Sequence, residues 1–528
     1  KDKINIKIVN KNSKDFKIEA FIKNEKNLVN SSELLNYFKN INKIIKNQNL
    51  LFGSENQIKF SINGKKEIKN LIVKSILNLD EILIDYKSPR LKKIFPNFKN
   101  IFKLKNTSIN IDFSKNKTKI YSKGNYSFKN EYDKFNFEIV KAKNDLIFDT
   151  KIEIDVSPII LEDINYNKKK NIYSELKFNG KIFENKNIKF ENIILSEGQN
   201  KFLLSNLYLT RDLKIIDVNK LELNYLNNNK KINHLNILKE NKKFKLFSNK
   251  FDGKLIVANL IKNDSNTNIL KRFKNLNSEI ILNFDHFFID SNDYLKNIRG
   301  SIIIEKNKIK YGNITAKLNN KNDFNLNIKI NSKNEKITNL LIDKPEPFFK
   351  HYKFIKGFNG GNLSYSSIEK NGIIRSTLKI FDFKVKEVPV LAKILTLASL
   401  QGIADLLTGE GIRFDDFEMD YQSSKNLTEI KEMYAIGPAI SILMSGYIEK
   451  EKLTSLRGTL VPATTINKTI AKIPLIGNLL VGKKTGEGVF GVSFKVKGPP
   501  KDLKTSVNPV KTLTPRFITR TLEKLKKG

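Results

Sequence analysis

Before Lys386 the chain alternates apolar and polar residues over short runs, the period-two pattern of half-buried antiparallel strands. In residues 323–331, DFNLNIKIN, one frame carries apolar side chains and the other carries Asn and Lys. The frame recurs in the runs that begin at Lys3, Phe135 and Lys151. The pattern therefore predicts a long meander of strands, with the apolar frame of residues 323–331 facing a hydrophobic surface: Phe324, Leu326, Ile328 and Ile330.

Turn-forming dipeptides fall among these runs: Asn63-Gly64, Asn179-Gly180, Asp252-Gly253 and Asn371-Gly372. With about 12 residues for a strand and its turn, residues 1–385 hold on the order of 30 strands. An open sheet of that extent must twist and curl. We expect a mainly β fold, a long twisted antiparallel sheet curled into an apolar-lined groove, with a few short helices. A series of β-sandwiches or taco-like modules, each closing its own core, fits the same pattern.

Helical spacing is rare before Lys386. Residues 31–47 place Leu34, Phe38, Ile41 and Ile45 on one side and predict a helix. A weaker helix is predicted after Asp264, with apolar residues again on one side: Leu270, Phe273 and Leu276. We expect both helices to cover part of the sheet.

The character of the sequence changes at Lys386, where glycine and proline begin to occur at spaced points. We therefore divide the chain into an elongated β region, 1–385, and a C-terminal α+β module, 386–528. Residues 388–407 are apolar, but Lys393, Gln401 and Asp405 interrupt them, which argues against a spanning helix. They predict an amphipathic helix that packs on the sheet or rests on a membrane through one stripe: Leu391, Ile394, Leu395 and Ala398.

A second apolar element, residues 466–481, is broken at the kink between Pro474 and Gly477. Its candidate lipid-contacting or membrane-contacting residues are Ile473, Leu475, Ile476, Leu479 and Leu480. A basic helix is predicted from about residue 515 to 527, suited to an anionic surface or to a solvated tail. Leu326 and Ile328 are the candidate lipid contacts within the sheet.

The C-terminal module carries an ordered series of glycine and proline signals. Gly437-Pro438 forms a turn signal, Gly446 closes a strand, IPLIG follows at 473–477, and GEGVFGVSFKVKGP follows at 486–499 with turn residues Gly486, Gly488 and Gly491. In this order the series resembles the C-terminal module of the AsmA-like family, the YhdP and TamB type. The resemblance covers roughly the last quarter of the chain.

The resemblance implies a periplasmic protein of a Gram-negative bacterium, held in the inner membrane by a helix upstream of Lys1. It also implies phospholipids as partners and a bridge-like, non-enzymatic role in moving them between inner and outer membrane. A structural scaffold for outer-membrane assembly or integrity is the alternative. Protein partners are not indicated.

The formal net charge of +40 raises nucleic acid as a partner, but its distribution argues against that. Lysines are scattered singly between Asn and Ile, and arginine, which suits bidentate contacts, is scarce. The charge therefore indicates a solvated face, with anionic lipid head groups as a weaker alternative. The absence of cysteine excludes disulfides and thiolate chemistry.

Two nucleotide-binding spacings are discounted. Residues 477–483, GNLLVGK, are followed by Lys484 where a magnesium-binding Ser or Thr belongs, and the G-x-G-x-x-G of Gly486 to Gly491 precedes a strand pattern. The three histidines are far apart, and the acidic group Asp415, Asp416 and Glu418 alternates with apolar residues as a strand surface does. We expect no enzymatic activity, cofactor or metal.

Overall fold

A computed structural model describes residues 2–12, 15–31, 44–142, 144–257, 269–352, 357–386, 388–397, 409–462, 492–500 and 502–508. Within these residues the protein is mainly β, as expected, with 30 strands and few short helical segments. Twenty-eight of the strands belong to one sheet, and β9 and β10 form a separate two-stranded sheet. The chain divides into two compact units, unit 1 (Lys1–Asn277) and unit 2 (Ser278–Gly528).

The described part of unit 1 holds the first seventeen strands, and its helical segments include one short helix and a 3-10 turn after β9. The helix α1 is Pro89–Ile94, capped by the Ser88 hydroxyl, and the 3-10 turn is Glu162–Ile164. The strands are β1 Lys3–Asn12, β2 Asp15–Asn30, β3 Asn49–Ile62, β4 Ile68–Asp85, β5 Ile101–Ser114, β6 Lys117–Ser127, β7 Asp133–Ala142, β8 Asp145–Ile154, β9 Ile159–Leu161, β10 Tyr166–Lys168, β11 Ser174–Ile182, β12 Ile188–Glu197, β13 Asn200–Leu209, β14 Ile215–Asp217, β15 Lys220–Leu226, β16 Ile232–Glu240 and β17 Lys243–Asp252.

Unit 2 holds the remaining strands and two described helices, and a further 3-10 turn, Ile269–Arg272, precedes it. The helices are α2, Glu346–Tyr352, and α3, Pro389–Leu397. The strands are β18 Ser278–Phe288, β19 Tyr294–Glu305, β20 Lys308–Leu318, β21 Asn322–Ile330, β22 Lys336–Asp343, β23 Asn359–Lys370, β24 Ile373–Val385, β25 Ile412–Ser423, β26 Leu427–Ile436, β27 Ile440–Glu449, β28 Leu453–Pro462, β29 Val492–Gly498 and β30 Lys504–Asn508.

Consecutive strands pair antiparallel in each unit, so the predicted meander is confirmed. In unit 1 the chain leaves the sheet after β8 and returns at β11, which pairs directly with β8. The alternating runs lie where the sequence placed them, for example in β1, β7, β8 and β21. Because most strands pair with a sequence neighbour, most of the pairings form between segments close in sequence.

The predicted turns have mixed outcomes. Asn371-Gly372 is a two-residue hairpin loop with φ of 52° and 78°, the geometry that Asn-Gly favours. Asn63 accepts hydrogen bonds from the backbone N–H groups of Lys65 and Glu67 in another turn. The turn prediction at Asn179-Gly180 was wrong, because both residues lie inside β11 at a β-bulge. A Cβ on Gly180 would approach the carbonyl oxygen of Lys189 to 2.1 Å, so glycine serves close strand approach there.

In the described residues, 24 strands end by Val385, against an expectation on the order of 30, and individual strands are long, since β4 alone has 18 residues. The compositional change at Lys386 also does not coincide with the division between the compact units at Asn277. β24, which ends at Val385, pairs in register with β25 along its length, so the sheet continues past Lys386.

The predicted helices are only partly testable. Residues 32–43 of the first lie outside the described residues, whereas Ile45 forms an isolated bridge with Ile84. The region after Asp264 has the 3-10 turn Ile269–Arg272 in its described part, followed by buried Leu276. The basic helix near the end of the chain lies outside the described residues. Among those described, no helix is both long and apolar enough to cross a membrane.

Candidate apolar ligand-binding faces

A continuous row of apolar residues crosses the strands of unit 1 on one face of the sheet. Each member is the register partner of the next, or stands two residues from that partner and so faces the same side. We call this the unit 1 row: Ile6, Ala20, Ile58, Val73, Phe113, Ile111, Ile120, Ile139, Phe148, Phe178, Ile193, Leu204, Leu221, Ile237 and Leu246.

The unit 1 row is not closed by packing. Ile6 is 62 % exposed, and the other members are half-buried, neither covered nor fully solvated. Adjacent rings touch along it, with the Phe148 and Phe178 centroids 6.2 Å apart. The row is thus a band of hydrocarbon partly open to water.

Unit 2 has a row of the same kind, and here every member is the direct register partner of the next across all thirteen strands. Apart from the glycines, most of its side chains are half-buried, and only that of Phe494 is fully buried. The unit 2 row is Leu282, Gly300, Ile314, Leu326, Leu340, Tyr365, Leu378, Met419, Met433, Met444, Gly458, Phe494 and Val507.

The opposite face of each unit is mostly polar, although it also carries exposed apolar residues such as Ile147 and Leu341. In unit 1 the residues one position along form a row of mostly polar partners, Asn110, Tyr121, Glu138, Asp149, Asn179, Asn192, Ser205 and Lys220. In unit 2 the corresponding partners are Asn313, Asn327, Asn339, Ser366, Thr377 and Asp420. Each unit therefore presents one mainly hydrocarbon face and one mainly hydrated face.

Lysines on the polar face pair with carboxylates on the same or neighbouring strands. Lys119 lies 2.9 Å from Glu138, and Lys151 lies 2.6 Å from Glu175. Hydrogen bonds from Lys151 and then Lys177 lower the pKa of the Glu175 carboxyl. These cross-strand ion pairs leave the charge on the hydrated side of the sheet, in accord with the prediction of a solvated face.

An inserted segment covers the apolar face of unit 1 at one end of the strands. Residues 155–173, between β8 and β11, carry the hairpin of β9 and β10, and we call them the cap. The Tyr166 ring of the cap lies tilted 4.7 Å from the Phe202 ring and edge to face 5.9 Å from the Tyr225 ring. The Tyr225 hydroxyl donates to the Ile164 carbonyl at 2.8 Å. Phe202 is two residues from Leu204 of the row, so the cap covers the same face.

A buried lysine holds the cap in place. Lys168 is 1 % exposed, and its Nζ donates to the carbonyl oxygens of Asp155 at 2.9 Å and Ser157 at 2.7 Å. Asp133 accepts from the backbone N–H groups of Asp155 and Val156. Burial lowers the pKa of the Lys168 ammonium, and the nearby Asp133 charge opposes that change. Lys168 therefore joins the two ends of the β9 and β10 hairpin within the cap, and Asp133 of β7 joins the cap to the sheet, both through charge-assisted hydrogen bonds.

Helices cover the apolar face of unit 2 at one end of its strands. Phe349 of α2 stacks 4.0 Å from Phe358, which stacks 5.3 Å from Phe383. In α3, Leu391, Ile394 and Leu395 are buried in the same core, together with Ile412, Ile440 and Leu460 of the sheet. Leu395 is 0 % exposed. The structure supports packing on the sheet as the role of this stripe, and these three side chains face no membrane in this conformation.

The remaining sequence-predicted sites fall into three groups. Leu326 and Ile328 lie on the apolar face of β21, half-buried, as expected. Gly437-Pro438 forms the predicted turn, with the Gly437 N–H donating to the Ile440 carbonyl at 3.0 Å. Several predicted residues lie outside the described residues: Ala398, Ile473, Pro474, Leu475, Ile476, Gly477, Leu479, Leu480, Gly486, Gly488 and Gly491.

The acidic residues near Arg413 take part in ion pairs. Arg413 contacts Asp382 at 2.9 Å and Asp415 at 3.3 Å, and Lys379 contacts Glu418 at 3.1 Å. Burial, followed by the hydrogen bond to Glu418, raises the pKa of the Tyr434 hydroxyl. Within the described ranges, no three His, Asp or Glu side chains come together to hold a metal ion.

Compared with models of known protein families, with curated proteins and with solved structures, the chain has no significant match. The resemblance to the AsmA-like family therefore stays a prediction.

The arrangement of each unit suits binding of hydrocarbon. A half-buried apolar surface gains about 25 cal/mol for each Å² that a ligand removes from water. Alternation in the sequence located the rows, but it did not reveal the cap. The cap residues Tyr166 and Lys168 carry no local motif, and only the break in alternation after β8 marks their position.

Proposed function

We propose that the chain binds phospholipid acyl chains on the apolar faces of its two units and acts as a non-enzymatic lipid-transfer protein. The observation that carries the proposal is the pair of register-continuous rows, which run from strand to strand and stay half-buried along most of their length. A protein that only needed a core would bury these residues within itself.

The energetics favour acyl chains as ligands. Exposing each methylene of a lipid to water costs about 0.8 kcal/mol. An acyl chain bound on a row removes both its own methylenes and the half-buried side chains of the row from water. A polar head group stays in water beyond the edge of the sheet. Because consecutive row members are about 5 Å apart, a chain can shift from one strand to the next without leaving an apolar surface.

The cellular setting of the proposal rests on the family resemblance. That resemblance implies the periplasm as the location and exchange of phospholipid between inner and outer membrane as the role. A structural scaffold for outer-membrane assembly is the outcome to weigh against lipid transfer.

The test is mass spectrometry of lipids that copurify with the protein. Leu326→Asp with Ile328→Asp places two carboxylates on the apolar face of β21, and Asn325→Asp with Asn327→Asp places two on its other face. Lipid recovered from the parent and the Asn variant, but reduced in the Leu326/Ile328 variant, supports the proposal. Circular dichroism checks that all three proteins fold. Folded protein without lipid in any of them would favour the scaffold.

A further inference from the structure

The chain contains three methionines, and all three stand next to one another in the unit 2 row. Met419 of β25 is the register partner of Met433 in β26, which is the partner of Met444 in β27. In sequence they are far apart. The hairpins bring them together at cross-strand spacing, about 5 Å between neighbouring Cβ atoms. We call them the methionine triplet.

The triplet lies at the open part of the apolar face. All three side chains are half-buried, and Met444 packs against the core cluster beneath α3. Leu378 precedes the triplet in the row and Gly458 follows it. The triplet thus lies between the core beneath α3 and the half-buried part of the unit 2 row, where small solutes reach it.

The rest of the sequence makes these positions chemically distinct. The chain has no cysteine and no tryptophan, so the triplet holds every sulfur atom of the protein. Thioethers are oxidised to sulfoxides by hydroperoxides under mild conditions. The most readily oxidised side chains are therefore concentrated in one patch of the apolar face.

We propose that the methionine triplet is an oxidation site at which a hydroperoxide switches off ligand binding to the apolar face of unit 2. The Sδ lone pair attacks the terminal peroxide oxygen, the O–O bond breaks and an S–O bond forms. Sulfur is oxidised by two electrons, and the proton of the transferred oxygen passes to the departing oxygen, so the hydroperoxide is reduced to water or an alcohol. Each chain takes up at most three oxygen atoms.

The consequence follows from polarity and rests on the proposed lipid-binding function. A sulfoxide is polar and chiral, and a buried polar group without a partner opposes binding of hydrocarbon. Three sulfoxides on adjacent strands would interrupt the unit 2 row across its width. Reduction by methionine sulfoxide reductases would restore the row.

The test treats the full chain with hydrogen peroxide and follows two quantities, sulfoxide at each methionine by peptide mass mapping and affinity for a dansyl fatty acid. The matched control replaces all three with Leu, M419L/M433L/M444L, which conserves volume and apolarity. We expect three sulfoxides and roughly tenfold weaker probe binding in the parent. The Leu variant should keep its affinity under the same treatment, and reductase treatment should restore that of the parent.

Two results would overturn the proposal. One is complete sulfoxide formation with unchanged probe affinity; the other is an equal loss of affinity in the Leu variant. If the untreated protein binds no probe, the proposed function fails. The peptide map then tests the oxidation site by itself. Methionines that resist oxidation in the folded chain but are oxidised in urea are not accessible, and that result would overturn the oxidation site.

Discussion

Asparagine has a structural use that the sequence pattern alone did not show. Thirteen of the non-glycine residues with positive φ in the described part of the chain are Asn, including Asn106 and Asn297 within strands. Both lie where the pairing register shifts, at β-bulges. Asn tolerates the left-handed region better than most residues. Part of the Asn content therefore serves bulges and turns, in addition to forming the solvated face.

At Lys168 the expected effect of substitution is local. Lys168→Met removes the ammonium from the carbonyls of Asp155 and Ser157 and leaves Asp133 without its nearby cation, which costs about 3 kcal/mol. Amide hydrogen exchange across residues 155–173 should then accelerate by about 100-fold. Lys169→Met, at an exposed neighbour, should leave exchange unchanged. Equal exchange in the two variants would contradict the anchoring role of Lys168.

At Glu175 the expected effect depends on pH. Its pKa is lowered by Lys151 and Lys177, so its ionised form stabilises the folded state above the unfolded pKa, and that contribution is lost as pH falls through the folded pKa. Glu175→Gln should lower the free energy of unfolding at pH 7 by less than about 1 kcal/mol. The difference from the parent should be smaller at pH 3, below the ordinary pKa of Glu, than at pH 7. Urea titrations at both pH values measure it, and a constant difference would count against this ion pair.

At the scale of elements, the strands were predictable from the sequence, but the segments that pack over the sheet were not. Alternation identified β21 and the inward frame of Leu326 and Ile328, because a half-buried sheet requires period two. α1 and α2 were missed, since each is a single short segment with too few residues to show helical periodicity. The stripe of α3 was visible in the sequence, but whether it met the sheet or a membrane depended on residues distant in sequence, such as Ile440 and Leu460.

The packing of α3 can be measured by truncating its side chains. Leu395 is fully buried, so Leu395→Ala should destabilise unit 2 by about 2–4 kcal/mol through lost burial and a cavity. Leu397, two residues on, is 49 % exposed, and Leu397→Ala should change stability by less than about 0.5 kcal/mol. Urea denaturation followed by tyrosine fluorescence compares them. Similar losses in both variants would show that α3 does not depend on its buried stripe.

At the scale of the whole molecule, the central claim is that one face of each unit carries lipid and the other meets water. Fold class and the alternation of faces were predictable from the sequence, because they depend on local pattern. The cap of unit 1, the helix α2 over unit 2 and the methionine triplet were not predictable, because they depend on which segments become neighbours in the fold. The sequence shows that the chain has three methionines, at 419, 433 and 444. Their proximity becomes visible only once β25, β26 and β27 are paired.

Photo-crosslinking tests the central claim most directly. A benzoylphenylalanine placed at Ile139 or Leu340 lies on a row, and one placed at the adjacent Glu138 or Asn339 lies on the opposite face. After incubation with vesicles of labelled phospholipid, irradiation should attach lipid at Ile139 and Leu340 and leave Glu138 and Asn339 unlabelled. Labelling that does not distinguish the faces, or is absent from both rows, would contradict the account.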